Sequence, residues 1–279
     1  MNVTYYKERN SMDQKFRYNS SSLKNYVSVN GIKFGGKNKN IIAGPCTFGS
    51  YEELYSIALE LKKLGIKFLR AGTFKARTNP YSFQGLRDEG IDILLRIKKE
   101  LELNVITELM TIEQVKKYGN SIDIIQIGSR NMYNYELLKE VGKLKKPILL
   151  KRGLSATYDE WLMSAEYILN EGNPNVILCE RGIRGNISNH TRNILDIQAI
   201  PYIKKNTNLP IIIVPSHSSG QAYMVESMSK ASLIAGADGL IIEVHITPEK
   251  SLCDSEQTIK IEDLKKIIEF NERLKKYEN

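Results

Sequence analysis

The chain has 279 residues, 42% of them hydrophobic and 26% charged, which suffices for one large barrel or two small domains without choosing between them. Its longest apolar runs, such as Ile211 to Val214 and Ile148 to Leu150, are far shorter than a bilayer span, and the opening MNVTYYKERN lacks an apolar signal segment. A soluble, cytoplasmic protein with no membrane partner is therefore expected. The net charge of +8 raises nucleic acid as a partner, but the lysines fall in short runs (Lys62-Lys63, Lys98-Lys99, Lys265-Lys266) within helix-like segments and no nucleic-acid motif accompanies them. They read as solvated helix faces.

Residues 1–25 are rich in Asn, Ser and Lys, and predict a flexible N-terminal arm rather than a folded unit. From Tyr26 to Gly36 the sequence alternates around Asn30-Gly31, the dipeptide that supplies the positive φ angles of a type I′ hairpin turn. Eight short β-branched runs follow, closed by Gly, Pro or polar residues: Asn40 to Cys46, Phe68 to Phe74, Val105 to Met110, Ile124 to Ser129, Pro147 to Gly153, Val176 to Gly182, Ile211 to His217 and Gly239 to His245. Between them, segments such as Tyr51 to Leu64, Leu86 to Leu101, Tyr158 to Asn170 and Ser219 to Ala235 repeat apolar residues at helical spacing. Eight βα units predict an α/β fold of (β/α)8 TIM-barrel type. Residues 26–279 form its single catalytic domain, and the N-terminal β-hairpin covers the bottom of the barrel.

Polar residues collect at the C-terminal ends of these strands, the edge where βα loops build active sites in such barrels. Cys46, Arg70, Glu108, Arg130, Lys151, Arg181, His217 and Glu243 all lie there, and alternation places Ile241, Glu243 and His245 on one face. Closure brings Cys46, His217 and Glu243 together from strands one, seven and eight, with Asp254 just beyond. A thiolate, an imidazole and two carboxylates suit one divalent ion, Mn²⁺ foremost, with Fe²⁺, Co²⁺ and Zn²⁺ as alternatives. Each ligand alone has a structural reading as a core thiol or a satisfied histidine; their convergence beside two acids favours a metal.

Opposite stand Arg70, Lys75, Arg77, Arg130, Lys151 and Arg181. Like charges about 4 Å apart repel by about 4 kcal/mol at an effective dielectric near 20, so such a mouth needs anions to fill it. Gly128, beside Arg130, permits a close backbone approach. Arg152, of opposite parity to Lys151, reads as an ion pair outside the barrel, and Arg184 receives no role. Glu108 either orients a lysine and exchanges a proton through water or pairs structurally with Arg70 or Lys151. Cys179 is expected to face the helix layer. Cys253 is a loop thiol without an assigned role, and the three cysteines form neither a disulfide framework nor a zinc knuckle.

The motifs IIAGPC (Ile41 to Cys46), FKARTNPYSFQGL (Phe74 to Leu86), QIGSRNM (Gln126 to Met132), LLKRG (Leu149 to Gly153), EWLMSAEYI, ILCERGIR (Ile177 to Arg184), TRNILD (Thr191 to Asp196), PSH (Pro215 to His217) and AGADGLIIEVH (Ala235 to His245) run in order over most of the chain. In them the sequence resembles 3-deoxy-D-arabino-heptulosonate 7-phosphate (DAHP) synthases of the short class, close to 3-deoxy-D-manno-octulosonate 8-phosphate synthases. The resemblance implies that Cys46, His217, Glu243 and Asp254 bind the metal. It implies that Arg70, Arg130, Lys151 and Arg181, with the Ser129 amide, hold phosphoenolpyruvate, and that Lys75, Arg77 and Thr78 receive the aldose phosphate, Lys75 near its carbonyl. It further implies condensation of phosphoenolpyruvate with erythrose 4-phosphate at the head of the shikimate pathway to aromatic amino acids, by a homotetramer or homodimer. Lys75, Cys46, His217 and Glu108 are then the candidate catalytic residues.

Three positions depart from the family pattern: Ala76 replaces the proline of KPRT, Val214 replaces the acid before PSH, and Ser255 replaces a glycine after Asp254. The octulosonate 8-phosphate synthases, which use arabinose 5-phosphate, carry two residues between the lysine and arginine of that loop, where Ala76 stands alone. FKART and TRNILD favour the four-carbon sugar. A barrel that binds phosphometabolites without turnover is the reading of another class that Val214 raises. The barrel takes nearly everything after Asn40, so a fused regulatory or chorismate mutase domain is not expected.

Overall fold

The computed structural model describes residues 16–185 and 190–278. The expected hairpin is present as β1 (Tyr26–Val29) and β2 (Ile32–Gly35), with Asn30 and Gly31 at φ 47° and 84°. These positive angles match the twist of the two strands and fix their register, Val27 opposite Phe34. Val27, Val29 and Phe34 are thereby turned to one side, where they pack on Ile42, Phe68, Ile106 and Ile124 at the start of the barrel strands. The Phe34 and Phe68 rings meet edge-on at 4.9 Å. Asn30 Nδ2 donates to Asn104 Oδ1 (2.7 Å) and Asp123 Oδ1 (3.1 Å), and Asn40 Nδ2 to the Lys33 carbonyl (2.7 Å), which completes the floor.

Eight parallel strands close on themselves: β3 (Asn40–Gly44), β4 (Phe68–Arg70), β5 (Asn104–Glu108), β6 (Ile124–Ile127), β7 (Ile148–Lys151), β8 (Val176–Glu180), β9 (Ile211–Ile213) and β10 (Gly239–Glu243), with β10 pairing β3. Outside them lie α1 (Tyr51–Lys63), α2 (Arg87–Leu101), α3 (Ile112–Tyr118), α4 (Tyr135–Lys143), α5 (Tyr158–Asn170), α6 (Ala199–Asn206), the short α7 (Pro215–Ser219), α8 (Ala222–Ile234) and α9 (Ile261–Glu278). Several helices start on a side-chain cap that satisfies a free backbone N–H. Ser50, Thr111 and Asn134 accept from the third helical residue, and Thr157 with Glu160 forms a reciprocal capping box. Leu54, Ile57, Ala58 and Leu61 show the spacing that turns one face of α1 onto the sheet.

Residues 1–15 of the expected arm lie outside the described residues. Residues 16–25 are docked. The Tyr18 amide donates to Glu166 Oε1 at 2.7 Å, the Tyr18 carbonyl accepts from the Asn208 amide at 2.8 Å, and Tyr18 and Leu23 pack on the outer core.

Strand alternation separates two cores. Ile41, Leu69, Val105, Ile125, Leu150, Leu178, Ile213 and Ile242 face the helices, while Ile42, Phe68, Ile106, Ile124, Leu149, Ile177, Ile212 and Ile241 fill the barrel. Continuing the inner parity upward gives Arg70, Glu108, Gln126, Lys151, Arg181 and Glu243. Along each strand the same row therefore begins as hydrocarbon and ends as charge.

Three expectations change. Cys179 shares the parity of Ile177 and belongs to the barrel interior, not to the helix layer. The row of Ile241 and Glu243 does not extend to His245, because β10 ends at Glu243; the ring turns outward to Glu53 of α1 (3.0 Å) and accepts at Nδ1 from the Thr247 amide. The seventh strand ends at Ile213, and Pro215, whose ring suits the first helical turn, opens α7, so His217 sits on a helix rather than a strand.

Candidate active site

The charged ends of the inner rows line a cleft of about 520 Å³ at the C-terminal mouth of the barrel, an ordinary size for a small-molecule site. Arg70, Lys75, Arg77, Thr78, Glu108, Ser129, Arg130, Lys151, Arg181, His217 and Asp254 all border it. Gly44, with φ 145°, carries the chain from β3 toward Cys46; an added Cβ there would lie 2.1 Å from the Arg70 carbonyl, so only glycine admits the neighbouring strand.

Cys46, His217, Glu243 and Asp254 offer one donor atom each, all within 4.8 Å of one another. Cys46 Sγ donates to Asp254 Oδ2 at 2.9 Å and accepts from Lys75 Nζ at 2.7 Å. Glu243 Oε1 receives Arg70 Nη1 at 2.7 Å and stands 3.3 Å from His217 Nε2. His217 Nδ1 is buried without a hydrogen-bond partner among the described residues. Burial, reinforced by Lys151, Arg181 and Arg70, pushes the His217 pKa well below its usual value, which keeps the ring in the neutral form that metals require. A hydrogen bond with Cys253, burial and Glu243 raise the Cys46 thiol above its usual value, and a bound cation would work against that shift. Burial pushes Asp254 up, but its bond from Cys46 and the Arg192 charge win and hold it ionised well below the carboxylate range. This donor set fits a divalent ion.

Across the cleft, Arg70, Lys151 and Arg181 are only 4%, 5% and 7% exposed. Arg70 is neutralised by Glu243, but Lys151 has no hydrogen bond or ion pair among the described residues, and Arg181 Nη1 reaches only the Gly182 carbonyl at 3.4 Å. Burial lowers Lys151 to about 8, aided by Arg70 and Arg181, and lowers Arg181 to about 10, aided by Arg192. Burial also pulls Lys75 down, yet the Cys46 and Cys253 sulfurs outweigh it and raise the ammonium above its usual value. Lys151 and Arg181 thus lack a paired counter-charge, and a bound anion supplies it. Ser129 Oγ, also buried and without a hydrogen-bond partner among the described residues, belongs to a residue that lines the same space. Arg130 reaches back to the Ala76 carbonyl (3.4 Å) and Thr78 Oγ1 (3.3 Å), tying the loop of Arg77 to the rim.

Glu108 pairs with neither Arg70 nor Lys151; Gln126 Nε2 donates to its Oε2 at 3.0 Å. Its carboxylate occupies the place of a side chain at Gly128, where an ideal Cβ would lie 2.1 Å from Glu108 Oε1. The glycine thus makes room for an acid. Arg152 does face outward, donating to Glu180 Oε2 (3.0 Å) and Asp196 Oδ2 (2.7 Å) beneath Tyr158.

Val214, in place of an acid, packs into the interior cluster below His217. Ser255 begins a right-handed turn and needs no glycine, since the positive φ of 59° falls on Asp254. The places of Cys253, Arg192 and Gln257 at this corner escaped sequence reasoning. Cys253 Sγ lies 3.1 Å from Cys46 Sγ and 3.2 Å from Asp254 Oδ2, and Arg192 Nη1 donates to Asp254 Oδ1 at 2.9 Å. Only TRNILD hinted at the second.

Comparison with known proteins identifies the family. The model of the DAHP synthetase I family matches residues 15–278. A phospho-2-dehydro-3-deoxyheptonate aldolase of Thermotoga maritima is 44% identical over 248 residues, 89% of this chain and 73% of that protein. A crystal structure of the aldolase (DAHP synthase) from the same organism superposes with a TM-score of 0.87 at 42% identity, over 91% of this chain and 74% of that one. A 2-dehydro-3-deoxyphosphooctonate aldolase of Geobacter sulfurreducens is 31% identical over 258 residues, 85% of this chain and 93% of that protein. In fold, in the ordered motifs of its rim and in overall sequence, the chain belongs to the DAHP synthetase I family.

Proposed function

We propose that this chain is a DAHP synthase: it joins phosphoenolpyruvate to erythrose 4-phosphate and, with one water, yields DAHP and inorganic phosphate. The observation that carries the reading is the inner strand row, which sets two buried, under-neutralised cations, Lys151 and Arg181, and the Glu243-paired Arg70 beside a four-donor metal cluster at the same mouth. Arg70, Lys151 and Arg181 at the bottom, with Ser129 and Arg130 at the side, receive the phosphate and carboxylate of phosphoenolpyruvate. The loop residues Arg77 and Thr78 take the phosphate of the aldose, which brings its aldehyde toward Lys75.

Lys75, held protonated by its sulfur neighbours, donates toward the aldehyde oxygen as C3 of phosphoenolpyruvate attacks the carbonyl carbon. Cys46, His217, Glu243 and Asp254 hold a divalent ion, Mn²⁺ foremost with Fe²⁺, Co²⁺ or Zn²⁺ as alternatives, that supplies Lewis acidity to the same aldehyde. Water then adds at C2 and phosphate leaves by C–O cleavage. Glu108, set in the cleft by Gln126, exchanges the proton of that water. The family reading carries with it a cytoplasmic location and a homodimer or homotetramer, which sedimentation velocity tests.

The deciding experiment measures phosphoenolpyruvate consumption by metal-stripped protein with Mn²⁺ restored, offered erythrose 4-phosphate or arabinose 5-phosphate in parallel. Turnover with the four-carbon sugar alone is expected. Turnover only with arabinose 5-phosphate would move the chain to the octulosonate reaction, and binding without turnover would make it an inactive phosphometabolite-binding barrel.

A further inference from the structure

TRNILD has no role in the chemistry above, yet its arginine enters the metal corner. Arg192 Nη1 donates to Asp254 Oδ1 and also to Gln257 Oε1, each at 2.9 Å. Gln257 is buried, and its Nε2 donates to Glu243 Oε2. One guanidinium nitrogen and one carboxamide therefore join both carboxylates of the metal cluster.

The division of oxygens is the informative part. On Asp254, Oδ1 is taken by Arg192 and Oδ2 is turned toward Cys46. On Glu243, Oε2 is taken by Gln257 and Oε1 is turned toward His217 and Arg70. Each carboxylate is clipped from outside by one oxygen and presents the other to the cluster. The same loop also grips the helix of His217: the amides of Arg192 and Asn193 donate to the Ser219 and Ser218 carbonyls at 3.1 and 2.8 Å, and Asn193 Nδ2 to the His217 carbonyl at 3.0 Å.

We propose that Arg192 and Gln257 are positioning residues that orient Asp254 and Glu243 as one-oxygen ligands, so that the loops after β8 and β10 together set the affinity of the metal site. Outer partners of this kind typically change metal affinity by about ten- to hundredfold when removed. The inference rests on the ligand assignment under the proposed function, and the test separates the two.

Mn²⁺ binding is measured on the full-length, metal-stripped protein without substrates, by electron paramagnetic resonance of the free ion, for wild type, Arg192→Met, Arg192→Lys and Gln257→Leu. Co²⁺ spectra are recorded alongside. Expected are Mn²⁺ affinities about tenfold or more weaker in Arg192→Met and Gln257→Leu, partial recovery in Arg192→Lys and altered Co²⁺ absorption. The KM for phosphoenolpyruvate at saturating metal should change less than the metal affinity does, because Arg192, although it borders the cleft, makes its side-chain hydrogen bonds to Asp254 and Gln257. Arg192 is partly exposed, so its variants fold even if Gln257→Leu does not. Wild-type metal affinity in Arg192→Met would overturn the clip, as would a raised KM with unchanged metal binding, which would make Arg192 a substrate contact. A wild type that binds no divalent ion would overturn the ligand assignment and the clip together.

Discussion

Lys151 offers a test in which stability and binding move in opposite directions. Its ammonium is buried on the inner row of β7 with Arg70 and Arg181 as neighbours, and burial lowers its pKa from 10.5 to about 8. The gap corresponds to about 3 kcal/mol of disfavour for the charged form in the folded protein. The folded pKa lies below the unfolded one, so this destabilisation is fully present below pH 8 and fades as pH rises from about 8 to 10.5. Lys151→Met, which keeps the alkyl stem and removes the charge, should therefore raise stability by up to about 3 kcal/mol at pH 7 and by much less near pH 10. It should also weaken phosphoenolpyruvate binding about ten- to hundredfold, the loss of one charge-assisted contact. In the wild type, phosphoenolpyruvate affinity should fall as pH passes upward through about 8. Urea unfolding at both pH values and calorimetric titration of phosphoenolpyruvate read these quantities. A variant less stable than wild type at pH 7, or one that binds phosphoenolpyruvate equally well, would refute the reasoning.

Gly128→Ala should push the Glu108 carboxylate aside, since the new Cβ would start 2.1 Å from Oε1; stability should fall by about 1–3 kcal/mol. Adding Glu108→Ala should recover most of that loss in a thermal melt, and strictly additive effects would show that the acid is not what the glycine accommodates. Lys75→Met should retain the fold and lose kcat about a hundredfold or more, and full turnover in a steady-state assay would remove it from the chemistry. Arg152→Met leaves Glu180 and Asp196 without their buried partner and should destabilise by about 3–5 kcal/mol in chemical denaturation. Because that network points away from the cleft, the KM for both substrates should hold; a large KM change would contradict the parity argument.

The barrel was legible because its strands are short and fully buried, and because the interior parity announces itself where hydrocarbon gives way to charge. Phe68-Leu69-Arg70 and Ile148 to Lys151 each state which face is which. Parity failed at its edges. In VILCE every residue is buried, so hydropathy cannot say which side Cys179 takes; Arg181, two residues on, held the answer. His245 was carried past the last ladder bond of β10, where alternation no longer applies. The helix of His217 was hidden inside an apolar run whose Pro215 marks a first turn as readily as a strand end. Most of the rim charges could be read in this way, but the contacts of Cys253, Arg192 and Gln257 could not. They join the loops after β8 and β10 to each other and to Cys46, and no periodicity links segments so far apart in sequence.

The floor built by β1 and β2 has a consequence for traffic. A vessel sealed at one end has a single opening, so whatever lodges deepest arrives first and departs last. Arg70 and Lys151 are buried well inside, whereas Arg77 is half-buried and Thr78 exposed at the lip of the same cleft. On the proposed reading, a sugar phosphate seated on that loop would be a stopper over the enolpyruvyl group beneath it. On that reading the order of arrival would follow from depth alone, before any residue moves.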